Sequence, residues 1–372
     1  MSVIQVGIIG MGFIGKLQLD ALLRLPSVRI VAISSTNEDI RNQMKEQYTI
    51  KVYADWHDLV ADPDVQVVHN CTPTALHLQV NTEVICSGKH LYAEKPLAMN
   101  AEEAKQMCSL LALHPVANAI NHQYRSNAAV QAMKEALKDP ANGQILFIRA
   151  HYLQESQCRQ DDYSARRMPE DSPARALSDI GSHAIELIHY LTHSTMGSVC
   201  ASMYTHYPNR FDAHSGRTIP MASDDTTSVQ FCTTEGVAGV FIASKVAHGH
   251  KNDLEISISC SNAEYSWRQE EPDRYIRNCR ETGNATIYMS PALASAKVKP
   301  YISLPSGHVM GWADALRNNM DRFYDAIGNN TYRNEQQAYT TFSDGLAIQC
   351  VIDACIASSK AKAWVRVQGE GR

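Results

Sequence analysis

Apolar and polar positions along the first third of the chain alternate between two periods. Val3 to Ile9 is an almost unbroken apolar run, as a strand covered on both faces requires. Phe13, Leu17, Ala21 and Leu25 then recur at helical spacing on one face. The exchange repeats. Val28 to Ser34 reads as a strand and about Asn37 to Tyr48 as a helix; Val65 to Cys71 is a strand stopped by Thr72-Pro73-Thr74, and Leu78 to Cys86 a helix with Gly88 at its C-cap. His90 to Ala93, Ala101 to Leu113 and Val116 to Ile120 continue as strand, helix and strand. This alternation predicts an α/β fold with a parallel, doubly wound sheet over residues 1–122.

The rhythm changes afterwards. Ala128 to Leu137 is helical and ends before Gly143. Gln144 to Leu153, Ser198 to Tyr204, Thr226 to Cys232, Val237 to Val246 and Leu254 to Cys260 show partial period-two alternation. Helices are expected at Ile180 to Thr192, Trp312 to Ile327 and Gln336 to Ser358. Residues 123–372 therefore form a second, α+β domain with a mostly antiparallel sheet. With no repeat, low-complexity tract or flexible linker, the two domains are expected to share a cleft.

The first strand and helix flank Gly10-Met11-Gly12-Phe13-Ile14-Gly15, a G-x-G-x-x-G loop in the context that gives it meaning. Gly10 permits the tight turn, Gly12 lets a pyrophosphate approach the backbone, and Gly15 lets helix and strand pack closely. The helix start then offers N–H groups and the positive end of its dipole to phosphates. A dinucleotide cofactor follows. The end of the second strand bears on which one, because an acid there binds a ribose 2′-hydroxyl and repels a 2′-phosphate. Ser35, Thr36 and Asn37 stand at that place, with Arg41 one helical turn on. The loop thus admits NADP and slightly favours it over NAD.

Composition removes several function classes. The 372-residue chain carries a net charge of −5 and has no basic tract, which argues against nucleic acid. It has no apolar run long enough to span a membrane and no signal-peptide pattern, so a cytoplasmic location is expected. Its 10 cysteines include no C-x-x-C pair and read as small buried hydrophobes, not as a disulfide framework.

Two further motifs carry chemistry. Glu94-Lys95-Pro96 follows the short His90 to Ala93 strand at the sheet's C-terminal edge, where ligands bind in open α/β folds. The proline restricts the backbone of Lys95, and a cis bond is one way it does so. Asp179 and His183 stand four apart at a helix start and share a face. Histidine suits the proton transfer that accompanies hydride loss from an alcohol, and the carboxylate orients the ring or binds a hydroxyl. His189 and His193, with Glu186, have zinc-compatible spacing but no further ligand cluster, so no metal is expected.

In these ordered motifs, together with Asn70-Cys71-Thr72-Pro73, His77 and the junction Asn121 to Arg125, the chain resembles the glucose–fructose oxidoreductase / inositol dehydrogenase (Gfo/Idh/MocA) family along its whole length. Gly249-His250-Lys251-Asn252 and Pro305-Ser306-Gly307-His308 resemble a sugar-processing subgroup. The resemblance implies a Rossmann domain followed by an open antiparallel sheet that pairs into homodimers or homotetramers. It implies NAD(P)-dependent hydride transfer at a carbinol or carbonyl carbon of a sugar, polyol or related cyclic hydroxy compound. It makes Lys95, Asp179 and His183 the catalytic set, with His183 as acid/base and Lys95 on the reacting oxygen. Cofactor contacts are implied at Gly10, Gly12, Phe13, Ile14, Gly15, Ser35, Thr36, Asn37, Cys71, Thr72, Pro73, His77, Glu94, Lys95 and Gln123. Arg125, Tyr163 and Arg167 are further substrate candidates. Three departures stand out: Pro173-Ala174-Arg175 replaces the usual glycines before Asp179, Glu186 replaces a frequent Asp, and Ser35 stands where an acid would end the second strand. Two alternatives remain open on this basis: a glycosidase with tightly bound NAD that acts by transient oxidation and elimination, and a non-catalytic NAD(P)/sugar sensor. The acid/base set argues against the sensor.

Overall fold

The computed structural model describes residues 3–163 and 174–369. The chain divides into two compact units, Met1–Ser126 with Ala313–Leu346, and Asn127–Trp312 with Ala347–Arg372. Where the sequence expectation ends the first domain at residue 122, the first unit runs to Ser126 and takes back a late segment.

The first unit is built from β1 (Ile4–Ile9), α1 (Phe13–Leu23), β2 (Val28–Ser34), α2 (Glu38–Gln47), β3 (Lys51–Tyr53), α3 (Trp56–Ala61), β4 (Val67–Asn70), α4 (His77–Cys86), β5 (His90–Ala93), α5 (Ala101–Leu113) and β6 (Asn118–Ile120). The six strands are all parallel in the order β3-β2-β1-β4-β5-β6. Strand order reverses between β1 and β4, so the carboxyl ends of these two strands open the ligand crevice of a doubly wound sheet. Ile9, Val68, Val84, Leu91, Met107 and Ile120 fill one core cluster, and Phe342 of the late segment joins them. Neither β3 nor α3 was anticipated: three and six residues are too few to show a period. Helix α3 is fixed instead by Asp55, whose carboxylate accepts the His57 N–H at 3.0 Å.

The second unit comprises α6 (Ala128–Leu137), β7 (Ile145–Leu153), α7 (Ser182–Thr192), β8 (Met196–Tyr204), β9 (Asn209–Asp212), β10 (Arg217–Pro220), β11 (Thr226–Thr233), β12 (Ala238–Ser244), β13 (Asp253–Cys260), β14 (Glu264–Arg268), β15 (Arg274–Asn278) and β16 (Ala285–Tyr288). After α8 (Trp312–Gly328), α9 (Phe342–Ala361) and β17 (Val365–Arg366) complete the chain. Nine strands form one sheet, β16-β15-β14-β13-β7-β12-β11-β8-β17, and β9 and β10 form a separate hairpin. Every neighbour in the large sheet is antiparallel except the β12–β7 pair. Along β7, Ile148, Ala150 and Tyr152 are buried while Phe147 and Arg149 are exposed, the alternation of a sheet covered on one face.

Two helix starts differ from the sequence expectation. Helix α9 begins at Phe342, not at Gln336. Thr341 caps it: its N–H and hydroxyl donate to the Asp344 carboxylate at 2.8 and 2.9 Å, while Thr340 bridges to Ile120. The helix expected from Ile180 begins earlier, as a π turn over Leu177–Gly181 that runs into α7. Gly181 gives this turn room, since a Cβ there would lie 3.3 Å from the Ala243 side chain of β12.

Candidate functional site

The loops after β1, β2, β4 and β5 lie side by side because backbone bonds continue past the strand ends. Gly10 N–H donates to Ser34 O, Cys71 N–H to Ile9 O, and Glu94 N–H to Asn70 O, at 3.0, 2.8 and 2.9 Å. Gly10 has φ +91°, and a Cβ on it would sit 2.6 Å from the Cys71 carbonyl oxygen. A Cβ on Gly15 would overlap the Gly10 carbonyl. Helix α1 has Gly12 as its N-cap, with no side-chain hydrogen bond there, and its first residue, Phe13, is exposed. An uncapped helix start in front of a glycine-lined cradle fits a dinucleotide pyrophosphate. Gly10, Gly12, Phe13, Ile14 and Gly15 would hold it.

The flanking loops are stiff. Asn70 Oδ1 accepts both the Thr72 N–H, at 3.1 Å, and the Thr72 hydroxyl, at 2.7 Å. Pro73 opens the short turn before α4, and Cys71 is buried. The buried His77 ring places Nε2 3.0 Å from Thr72 O and Nδ1 2.9 Å from Pro96 O, joining this loop to the one carrying Lys95. On the β2 side, Asn37 caps α2, and Arg41 Nη1 donates to the carbonyls of Ser35 and Thr36, both at 2.9 Å. Ser35 is buried; Thr36 and Asn37 are exposed.

Lys95 precedes a cis proline and sits on a buried polar network. The Glu94 carboxylate points into the fold. Its Oε1 accepts from Gln18 Nε2 at 2.5 Å and Asn121 Nδ2 at 2.7 Å, and its Oε2 accepts the Lys95 N–H at 3.3 Å. Expected as a cofactor contact, Glu94 thus spends its side chain on fixing the lysine loop from beneath. The network continues through His69, whose ring bonds Gln18 Oε1 and the Tyr324 hydroxyl, each at 2.6 Å. A second branch runs from Asn121 to Tyr92 and on to Asn319. Burial pushes Glu94 up to about 7 against the Lys95 charge and its own hydrogen bonds. Burial alone pulls His69 down to about 3. His122 is held well below its ordinary value by burial and then by the Lys95 and Arg125 cations, so it is a neutral imidazole near Lys95. Gln123 and Arg125 lie buried in a 3₁₀ turn, Gln123–Ser126, of this unit.

In the second unit, buried acids fix the π turn that carries Asp179. Asp224 accepts the Arg175 and Leu177 N–H groups, at 2.5 and 3.0 Å, and the Thr227 hydroxyl. Asp225 takes Arg175, Arg210, and the N–H groups of His206 and Tyr207. Arg175 is driven down to about 10, by burial first and then by the Arg210 charge. The stiffer, positively charged approach expected from Pro173-Ala174-Arg175 thus has its arginine turned inward onto Asp225. Lys245, just past β12, forms an ion pair with Asp179. His183, one turn on, is 4% exposed, with the Tyr152 ring centred 6.0 Å away. The Tyr152 hydroxyl donates to Asn252 Oδ1 at 2.5 Å, and Gln154 Nε2 donates to the same oxygen at 3.1 Å.

Asp224, Asp225, Lys245 and Tyr152 were missed as site residues because they lie far from Asp179 and His183 in sequence. Tyr163 packs against Ile219 and Met221 of the β9–β10 hairpin, and Arg167 lies outside the described residues. His189 Nε2 accepts the Met196 N–H at 3.2 Å, and His193 is the left-handed C-cap of α7. Among the described residues no group of three His, Cys, Asp or Glu side chains is placed to hold a metal, no disulfide forms, and no helix is long and apolar enough to cross a membrane.

Comparison with known proteins agrees with this geometry. Residues 4–122 match the oxidoreductase family with an NAD-binding Rossmann fold, and residues 130–266 match the GFO/IDH/MocA C-terminal domain. Levoglucosan dehydrogenase of Pseudarthrobacter phenanthrenivorans is 26% identical over 99% of each chain. Glucose-6-phosphate 3-dehydrogenase of Bacillus subtilis is 22% identical over 94% of each. A solved levoglucosan dehydrogenase in complex with NADH and L-sorbose superposes with a TM-score of 0.89 at 25% identity, covering 99% of this chain and 100% of that one. An inositol dehydrogenase homologue from Azotobacter vinelandii, at 18% identity over 98% of each chain, shares the fold with a TM-score of 0.87. The chain belongs to the Gfo/Idh/MocA family and is an NAD-dependent oxidoreductase.

Proposed function

We propose that the enzyme moves a hydride between nicotinamide and a carbinol or carbonyl carbon of a sugar, polyol or related cyclic hydroxy compound. The observation that carries this reading is the Asp179–His183 turn, braced by buried acids, in a chain whose other unit presents a glycine loop in front of an uncapped helix start. The relatives act on levoglucosan and glucose 6-phosphate by name, and both are polyhydroxylated rings. Bound nicotinamide supplies the hydride acceptor. In the oxidising direction a ring nitrogen of His183 takes the hydroxyl proton as the carbinol becomes a carbonyl. Lys95 hydrogen-bonds the reacting oxygen and relays its proton, and Asp179 orients the ring or a substrate hydroxyl. Arg125, Tyr163 and Arg167 are proposed substrate contacts.

The test is reduced-nicotinamide absorbance across levoglucosan, L-sorbose, myo-inositol and glucose 6-phosphate. Lys95→Met and His183→Asn are each expected to lower kcat by about 10²- to 10⁴-fold. Variants that turn over like the wild type would reject these roles. Release of a reducing sugar without accumulation of reduced cofactor would favour the bound-NAD glycosidase.

Both NAD and NADP are proposed to serve, with NADP slightly favoured. Supporting this, the β2–α2 loop has no acid at Ser35-Thr36-Asn37, and the Arg41 guanidinium lies on its carbonyls. Ser35→Asp is expected to weaken NADP selectively. A wild-type kcat/KM more than about tenfold higher with NAD would reject the preference. We further propose homodimers or homotetramers, formed through the sheet face that exposes Phe147 and Ile242.

A further inference from the structure

We infer that Lys245 is a positioning residue for proton transfer: its buried ammonium holds the Asp179 carboxylate and thereby tempers the basicity of His183. The inference rests on the reading above in which Asp179 and His183 handle the proton.

The Lys245 backbone is pinned on both sides. Its N–H donates to Asp225 O and its carbonyl accepts the Gln157 N–H, each at 3.0 Å. Its side chain is 3% exposed, whereas the Asp179 side chain it pairs with is 43% exposed. That asymmetry is informative. A carboxylate at Asp179's depth keeps much of its hydration and needs no lysine. An ammonium at Lys245's depth has lost nearly all of its hydration and must have an anion. The two buried acids at the start of this turn and strand, Asp224 and Asp225, are already committed. Asp225 is saturated by Arg175, Arg210 and two backbone N–H groups, and Asp224 by two backbone N–H groups and the Thr227 hydroxyl. The fold therefore sinks a cation into its interior and directs it at the partly exposed Asp179 carboxylate.

The consequence reaches His183 through charge. A carboxylate one turn away favours the imidazolium form, and an ammonium on that carboxylate offsets part of the effect. Among the described residues, other charged or titratable groups around this turn include Tyr152 from β7, Glu186 on α7, and Arg175 with Asp224 where the turn begins. Lys245 bonds Asp179 Oδ2 directly. Lys245 thus keeps His183 closer to the neutral base that alcohol oxidation requires and fixes the carboxylate in one orientation.

The test uses the full chain with ¹³C-labelled histidine and no substrate, following the His183 ring signal (assigned through His183→Asn) against pH. Lys245→Met should raise the His183 midpoint by about one unit, and Asp179→Asn should lower it. Lys245→Arg should stay near wild type. In turnover with the best substrate of the panel above, Lys245→Met should lower kcat about tenfold with KM within about threefold, and its pH profile should shift upward. Lys245→Gln carries the same expectations if the methionine variant fails to fold. A normal midpoint and profile in the Lys245 variants, alongside a displaced Asp179→Asn, would overturn this inference alone. Asp179→Asn and His183→Asn variants with wild-type turnover would remove the functional reading and this inference with it.

Discussion

Glu94 is a carboxylic acid sealed beneath the lysine loop, and its protonation has a direction that stability measurements can read. Burial raises it from 4.5 to about 7. The native state therefore keeps this proton at pH values where the unfolded chain has released it. The associated stabilisation is complete below 4.5 and is lost as pH rises toward about 7. The full change is on the order of 3 kcal/mol. Denaturant unfolding at a series of pH values should show the wild type falling over that window relative to Glu94→Gln, whose side chain cannot titrate. Parallel curves for the two proteins would show that folding leaves Glu94 at its ordinary value. The same residue marks a limit of sequence reading. The motif Glu94-Lys95-Pro96 located the loop, but the direction of the glutamate depends on Gln18 and Asn121, which no local pattern connects to it.

At the scale of elements, the long periodic segments were legible: β2, β5, α5 and α6 begin and end where hydrophobic spacing and caps place them. Segments without a buried face were not. In β15 every residue is half-buried, and β16 has none that is buried, so neither shows apolar alternation. β14 does alternate, with Tyr265 and Trp267 inward, but its polar partners and short length conceal it. The π turn was also illegible, because it is imposed from outside by Asp224. Asp225→Asn tests how much that acidic pair supports. It leaves the buried Arg175 and Arg210 without their anion and should cost about 3–5 kcal/mol. Thr341→Ala, which removes only the cap of α9, should cost about 1 kcal/mol. Chemical denaturation of both variants checks the ranking, and equal losses would contradict it.

For the whole molecule, the proposed assembly predicts that Ile242→Arg, on the exposed sheet face, leaves the secondary structure intact while lowering the mass seen by light scattering. An unchanged mass would place the subunit contact elsewhere. The discontinuous first unit makes a second prediction. Residues 1–126 alone lack Phe342 in their core, the Tyr324 hydroxyl on His69, and the Asn319 amide on Tyr92. That fragment should show no cooperative unfolding transition, and restoring 313–346 through a short linker should return one.

That late segment also sets a timetable for synthesis. The side chains that seal the network beneath the glycine loop and the lysine loop follow them from the ribosome roughly two hundred residues later, a delay on the order of ten seconds or more. During that interval the nascent first unit has an open seam where His69, Tyr92 and Ile120 await their partners. The cofactor cradle of this enzyme is therefore translated well before the side chains that brace it from beneath.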